Sequence, residues 1–311
     1  MTALGFSIGH YTDKQNITGC TVLLCPEGNR TSCYISGAAP GSRETALLAP
    51  EKKIQSVQAI LLTGGSAFGL SAAQGVMQYL GEQKAGYVTR FATIPIVPAA
   101  VVYDLNIGDS TTCPTAENAY QACRSASIEN MNWHGSIGAG TGVTVGKWAG
   151  IEKAMKGGLG VAEITVSDAW IRAIAVVNAV GDIIDEQGKI IAGAWTENQG
   201  FLAESDPGKR WVVPEVGIIE NTVLSIVITN VRLDKTQTFL LAQRAHNGYA
   251  RAIIPANTSY DGDIIFAVSS CQIEFTPDIV FDMAAEAIRR AIIDAVIHAE
   301  SLGGVRSSKS K

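Results

Sequence analysis

Short apolar runs broken by Gly, Pro, Asn and Asp fill the first fifty residues, and "TVLLC" and "CYISG" read as strands between turns. The rhythm then changes. In "SVQAILLTGGSAFGLSAAQGVMQYL" a continuous apolar run, a double-glycine turn and a helical periodicity follow one another, the succession of a βα unit. Pro95 and Pro98 interrupt the next stretch before another strand in "AAVVYDL". "TAENAYQACRSA" predicts a helix with Thr115 as its N-cap. After the glycine-rich "GSIGAGTGVTVGKWAG", the segments "GLGVAEITV" and "IRAIAVVNAVGDII" alternate and carry enough β-branched residues to be paired strands. "ENQGFLAESDPGKRW" predicts a long, polar, exposed and mobile loop.

Beyond that loop, "GIIENTVLSIVITNV" (217–231) holds two apolar runs split by Glu220, Asn221 and Thr222. A run this apolar belongs to a buried strand, so the polar triplet is either a turn or a joint at which the chain is cut. Asp234 and Gln237 open a helix in "DKTQTFLLAQRAHNGYARAI" as a capping box, and "DGDIIFAVSS" gives a further strand. The final segment, "TPDIVFDMAAEAIRRAIIDAVIHAESLGG", predicts a helix capped by Thr276, with Pro277 in its first turn and Gly303-Gly304 as its stop. No internal repeat, low-complexity stretch or linker divides the chain, so one α+β or layered α/β domain over residues 1–311 is expected.

Composition narrows this picture. With 47% apolar and 17% charged residues, 311 residues suffice for a substantial core. A net charge of -5 gives no electrostatic reason to expect nucleic acid or an anionic membrane as partner, and the one basic cluster, "VRSSKSK", reads as a solvated tail. The first residues lack the basic and apolar regions of a secretion signal, and "FATIPIVPAAVVY" holds two prolines and is too short to span a bilayer. A cytoplasmic protein is therefore expected. The six cysteines form no CxxC pair and have no histidine at zinc-ligand spacing, so they read as scattered buried thiols and no metal site is expected.

The residues with candidate chemistry each admit two readings. Ser66 occupies a strand-turn-helix, as in a nucleophile elbow, but Phe68 stands where the second glycine of G-x-S-x-G is required. The glycine-rich segment fails as a phosphate loop, because Thr141 and Trp148 replace the required glycine and hydroxyl residue. Lys147 is either a surface lysine beside a glycine turn or a partly buried one with a depressed pKa. Asp261 and Asp263, two apart, face one side of an extended chain, as a paired acid site or as an exposed turn. None of the four histidines pairs recognisably with a serine or cysteine. Thr222 is left: a threonine hydroxyl becomes a competent nucleophile when cleavage of the bond before it frees its own α-amine, which titrates at about 7.7–8.0. Spacing alone favours the turn, since Asn is a common turn residue.

Seven stretches change that weighting. "GAAPGSRETALL", "ILLTGGSAFGLSAAQGVMQYL", "VPAAVVYDL", "GSIGAGTGVTVGK", "VVNAVGDI", "NTVLSIVITNVRL" and "AHNGYARAIIPANTSYDGDIIFAVS" run in order through nearly the whole chain. Together they resemble the DmpA-type aminopeptidase family, which includes the β-aminopeptidases and the endo-acting nylon-oligomer hydrolases. The resemblance implies a four-layer α/β/β/α sandwich, related to ornithine acetyltransferases, and a precursor that cuts itself between Asn221 and Thr222 into fragments 1–221 and 222–311. It further implies a self-processing N-terminal-threonine amidohydrolase acting on small peptides or amino-acid oligomers, without a cofactor, assembled as homo-oligomers of processed pairs with a tetramer as the family expectation. The alternatives it leaves are a 6-aminohexanoate-oligomer hydrolase and an acyltransferase.

By the same resemblance Thr222 is the nucleophile, Asn178 the oxyanion donor and Tyr103 a residue lining the site. Lys147 is a cation beside the nucleophile, and Asp261 and Asp263 form an acidic pair that binds a substrate amine or orients the site. Two positions depart from the aminopeptidases best known for β-peptides. Thr222 replaces Ser, and "DGD" replaces Ser-Gly-Glu, a combination closer to the nylon-oligomer hydrolases. Asn257 stands where the family often has histidine.

Overall fold

The alternating segments of the sequence become the strands of two sheets. The computed structural model describes residues 5–211 and 221–310. Its main strands are β1 (Ser7–Asp13), β2 (Thr18–Leu24), β3 (Arg30–Ile35), β4 (Ala59–Thr63), β5 (Ala99–Val101), β6 (Leu159–Val166), β7 (Ala169–Asn178), β8 (Thr222–Val231) and β9 (Ile264–Ile273). One sheet runs β1-β2-β4-β5 and is closed at its edge by Ser42–Arg43; the other runs β6-β7-β8-β9-β3. In the second sheet β7 lies antiparallel to β6 and β8, whereas β8 and β9 are parallel. The first apolar run of the "GIIENT" joint, with Glu220, lies outside the described residues.

β8 is buried along its full length, with β7 on one side and β9 on the other. Its two faces serve different cores, because side chains alternate with period two. Leu224, Ile226 and Ile228 meet Ile174 and Val176 of β7, Phe266 of β9, and Leu23, Ile60 and Leu62 of the other sheet. Val223, Val227 and Val231 face the opposite way, onto the helices α3 and α4 defined below. This explains why apolar residues stand on both faces of the strand rather than on one: neither face of a central strand meets water.

The helices are α1 (Ala73–Glu82), α2 (Ala116–Arg124), α3 (Lys235–Ala245) and α4 (Pro277–His298). Ala73, Val76 and Leu80 of α1 and Ala119 and Ala122 of α2 pack on Val22, Ala59 and Leu61 of the first sheet. On the second sheet, Leu241 and Ala242 of α3 and Ala284, Ile288, Ala291 and Ala295 of α4 cover Ala173, Ala175, Val227 and Ala267. The structure is mixed α/β. Among the described residues no helix is long and apolar enough to cross a membrane.

Capping follows the sequence at two helices. Thr115 accepts from the Asn118 N–H and Asp234 from the Gln237 N–H, each completing a reciprocal capping box. At α4 the N-cap position and Pro277 in the first turn match the sequence expectation, but the expected stop does not. Thr276 occupies the N-cap without a side-chain hydrogen bond, and the helix stops at His298, five residues before Gly303. There the backbone turns extended at Ala299, and the Glu300 N–H donates to Ser136 Oγ at 3.0 Å instead of continuing the helix. The predicted loop at 197–211 is also ordered: Gly200–Phe201 pairs with Trp195–Thr196, Leu202–Ser205 is helical, and Leu202 and Ala203 are buried against Trp148, Val180 and Ala194. Arg210 anchors its far end on the buried Asp182 carboxylate at 2.8 Å. Polar composition concealed these two apolar anchors.

Candidate functional site

Thr222 is the first residue of β8 and pairs with Asn178, the last of β7. By strand parity both side chains lie on the face shared by the two sheets, with Leu224 and Val176. Thr222 is 6% exposed, and its hydroxyl donates to the carbonyl of Asn221 at 2.5 Å. That carbonyl also accepts from the Gly262 N–H at 2.9 Å. The peptide bond between Asn221 and Thr222 is therefore polarised at its oxygen, with a hydroxyl beside it.

Two of the residues singled out in the sequence, Lys147 and Tyr103, converge on Asn178. Lys147 Nζ donates to its Oδ1 at 2.8 Å and to its carbonyl at 3.2 Å; the Thr144 N–H also donates to Oδ1, at 3.1 Å. Two donors on one atom fix the amide orientation, and Nδ2 then donates to the Tyr103 carbonyl at 3.1 Å. Tyr103 thus reaches the site through its backbone. Lys147 sits in a turn that follows the short strand Thr144–Val145, and Gly146 makes that turn possible: its φ is +75°, and a Cβ there would lie 2.1 Å from the Gly193 carbonyl carbon. Of the two sequence readings of Lys147 the buried one holds, since it has no solvent exposure.

Burial depresses Lys147 to about 7, opposed by the charge of Asp261 and assisted by Lys156. Burial thus works against the charge at the position where the family resemblance implies a cation.

Asp261 and Asp263 are likewise buried, at 3% and 2% exposure, which excludes the exposed-turn reading. Asp261 accepts from the Thr258 N–H and hydroxyl at 2.7 and 2.8 Å; Asp263 accepts from the Val223 N–H at 2.7 Å, one residue past Thr222. Burial raises both carboxyls, and the Asp261 charge raises Asp263 further. Gly262 between them packs against Thr222, since a Cβ there would lie 2.8 Å from Thr222 Oγ1 and 2.5 Å from the Ala39 carbonyl.

Several participants were invisible in the sequence. His246 Nε2 lies 2.6 Å from Ser36 Oγ, and the Ser36 and Gly37 N–H groups both donate to the Asp263 carbonyl. Burial holds His246 at about 4, with the Asn257 side chain hydrogen-bonded to it. Lys156, also fully buried and depressed by burial to about 7, donates to the Thr141 and Val143 carbonyls just before Thr144. Asp104, next to Tyr103, accepts from Thr18 Oγ1 and the Gly65 N–H. Sequence separations of 39, 86 and 210 residues hid the pairs of Asp104 and His246, whereas Lys156 lies only 13 and 15 residues from its two acceptors. Ser66 stands apart: its φ of +51° is strained, as at an elbow, but the four histidines bond Thr21, Asp294 and Ser36 instead. The six cysteines are free thiols.

Comparison with known proteins accords with this geometry. The model of Peptidase family S58 matches residues 4–310. An uncharacterized aminopeptidase of Mycobacterium leprae is 34% identical, over 97% of this chain and 90% of that protein. A 6-aminohexanoate-oligomer endohydrolase of Paenarthrobacter ureafaciens is 30% identical, over 87% of this chain and 74% of its own length. Among solved structures, the L-aminopeptidase D-Ala-esterase/amidase of Ochrobactrum anthropi, described as a variant of the Ntn hydrolase fold, superposes with a TM-score of 0.75 at 17% identity, covering 98% of this chain and 89% of that one. The chain belongs to Peptidase family S58 and is a hydrolase acting on amide bonds.

Proposed function

We propose that the chain matures by cutting itself between Asn221 and Thr222 and then hydrolyses amide bonds of small peptides or amino-acid oligomers through an acyl-enzyme on Thr222. The observation that carries this reading is the Thr222 hydroxyl 2.5 Å from a carbonyl that the Gly262 N–H already polarises, at the head of a buried strand. In maturation, Thr222 Oγ1 attacks the Asn221 carbonyl carbon, the C–N bond breaks, and the former amide nitrogen takes the proton to become the Thr222 α-amine. Water then cleaves the resulting ester, leaving an Asn221 carboxylate and a free hydroxyl.

In turnover the α-amine takes the hydroxyl proton as Oγ1 attacks the substrate carbonyl. One N–H of the Asn178 amide is engaged with Tyr103, and the other donates to the oxyanion. The proton passes to the departing amine, and water attacks the acyl ester with the α-amine again as base. Asp261 or Asp263 binds the substrate amine or orients the site, and the buried Lys147 assists proton transfer. No cofactor enters the scheme.

Around this site we assign a single domain of four layers, α/β/β/α, supported by apolar clusters between helices and sheet, between the sheets, and again between sheet and helices. Cytoplasmic location and homo-oligomers of processed pairs complete the proposal. The Thr222 nucleophile, the Asp-Gly-Asp segment and the 30% identity to a 6-aminohexanoate-oligomer endohydrolase favour ω-amino-acid oligomers as a second substrate class.

Intact mass spectrometry tests the reading. Two fragments split at Asn221-Thr222 are expected from the purified protein, and Thr222→Ala stays whole and inactive. A single wild-type species at 32.8 kDa, unchanged with time, refutes self-processing. Screening the processed enzyme on aminoacyl amides, β-peptides and 6-aminohexanoate oligomers separates the substrate classes.

A further inference from the structure

We propose that His134, Asp294 and His298 form a binding site for one divalent transition-metal ion of the zinc class, which clamps the end of α4 to the edge strand β6 and the loop that precedes it. The ligand atoms of these three side chains all lie within 4.8 Å of one another. His134 Nδ1 is 3.0 Å from Asp294 Oδ2, and His298 Nδ1 is 3.0 Å from Asp294 Oδ1. Ligand atoms around a tetrahedral zinc stand about 3.3 Å apart, given bonds of about 2.0–2.1 Å, so the cluster needs little expansion to admit an ion. Two imidazoles and one carboxylate suit zinc, and nitrogen ligands disfavour calcium and magnesium. Water fills the fourth position from the solvent side, since both histidine side chains are about one-third exposed.

The framework holds Asp294 and His298 before any ion arrives and brings the His134 loop beside them. Asp294 and His298 are four residues apart on α4, hence on one face of it. Asp294 Oδ2 also accepts the Val161 N–H of β6 at 2.9 Å, which fixes the carboxylate against the edge strand. Gly135, next to His134, exchanges both backbone hydrogen bonds with Leu159 at the start of that strand. Its φ of +90° and its approach to the His298 carbonyl, 2.5 Å from where a Cβ would stand, admit glycine only and bring the loop onto the helix end.

The two imidazoles are stacked, 3.8 Å apart and 9° from parallel. A nitrogen lone pair lies in its ring plane, so one ion cannot lie in both planes at once. His134, on the loop, turns to meet the ion, while His298 keeps its place on the helix. β6 is two strands from β8, about 10 Å across the ladder, so the ion takes no part in the hydrolytic steps.

Calorimetric titration of the untagged, processed, chelator-stripped enzyme with zinc chloride tests this, with cobalt chloride as a spectroscopic probe. We expect one zinc per chain, a cobalt absorption of the four-coordinate type, and at least tenfold weaker binding in His134→Ala and in His298→Ala. Both variants are expected to keep wild-type hydrolysis and, without metal, the wild-type circular dichroism spectrum. Absence of stoichiometric zinc binding overturns the proposal. So does stoichiometric binding that neither variant weakens, because the ion then sits elsewhere, as at the Asp261–Asp263 pair.

Discussion

Replacing Lys147 by Met on the uncleaved Thr222→Ala background isolates the energetic consequence of burying an amine beside Asn178. Lys147 is held at about 7, against 10.5 for the free side chain. At pH 7 the unfolded chain binds this proton fully and the folded chain only half, so folding loses binding free energy worth about 4 kcal/mol at about 1.4 kcal/mol per unit. At pH 10 the unfolded chain is itself partly deprotonated, and the penalty falls to about 1 kcal/mol. It is complete below pH 7 and vanishes above 10.5, so wild-type stability rises with pH across that window. Met carries no such penalty, but its loss of the bonds to Asn178 adds an offset of about 1–3 kcal/mol that does not vary with pH. Urea unfolding of both proteins at pH 7, 8, 9 and 10 reads the difference. Relative to its parent, the Met variant should lose about 3 kcal/mol between the extremes. A difference constant to within about 1 kcal/mol would mean that Lys147 is charged in the fold and that its assignment as a neutral-pH proton acceptor is wrong.

Gly262→Ala puts a methyl group 2.8 Å from Thr222 Oγ1 and 2.5 Å from a backbone carbonyl, so the hydroxyl must shift by several tenths of an ångström; self-cleavage, followed by gel or mass, should slow about 100-fold, and a wild-type rate would contradict the assigned contact. Tyr249→Phe removes a buried hydroxyl that donates to the Val223 carbonyl and lies 2.9 Å from Ser225 Oγ, and should lower stability by about 1–3 kcal/mol in denaturant melts while preserving the fold. His246, held at about 4 against 6.5 unfolded, stays neutral in the fold while the unfolded chain protonates, so stability should fall as pH drops from 6.5 towards 4. His246→Gln should flatten that acid limb in thermal melts, and an unchanged limb would remove His246 from its cause.

The elements with strong periodicity were legible from the chain. The buried run after Thr222, the paired "GLGVAEITV" and "IRAIAVVNAVGDII", and the two capping boxes depend on neighbours within a few residues, where the physics of period and cap operates. Where a partner was distant, local reasoning failed. The end of α4 is set by Ser136, 164 residues away, and the polar 197–211 segment is pinned by Leu202 and Ala203 against Trp148.

The same division runs through the site. The sequence nominated Thr222, the acidic pair, Asn178 and Lys147 only through its resemblance to a family, because each sits in one of the contiguous stretches that carry that resemblance. Only the tertiary structure decided that Lys147 and both aspartates are buried, that Gly262 packs against Thr222, that His246 bonds Ser36 beside the acidic pair, and that two histidines share Asp294. Burial and the charges that face a group fix its protonation, and both are sums over residues brought together from distant parts of the chain.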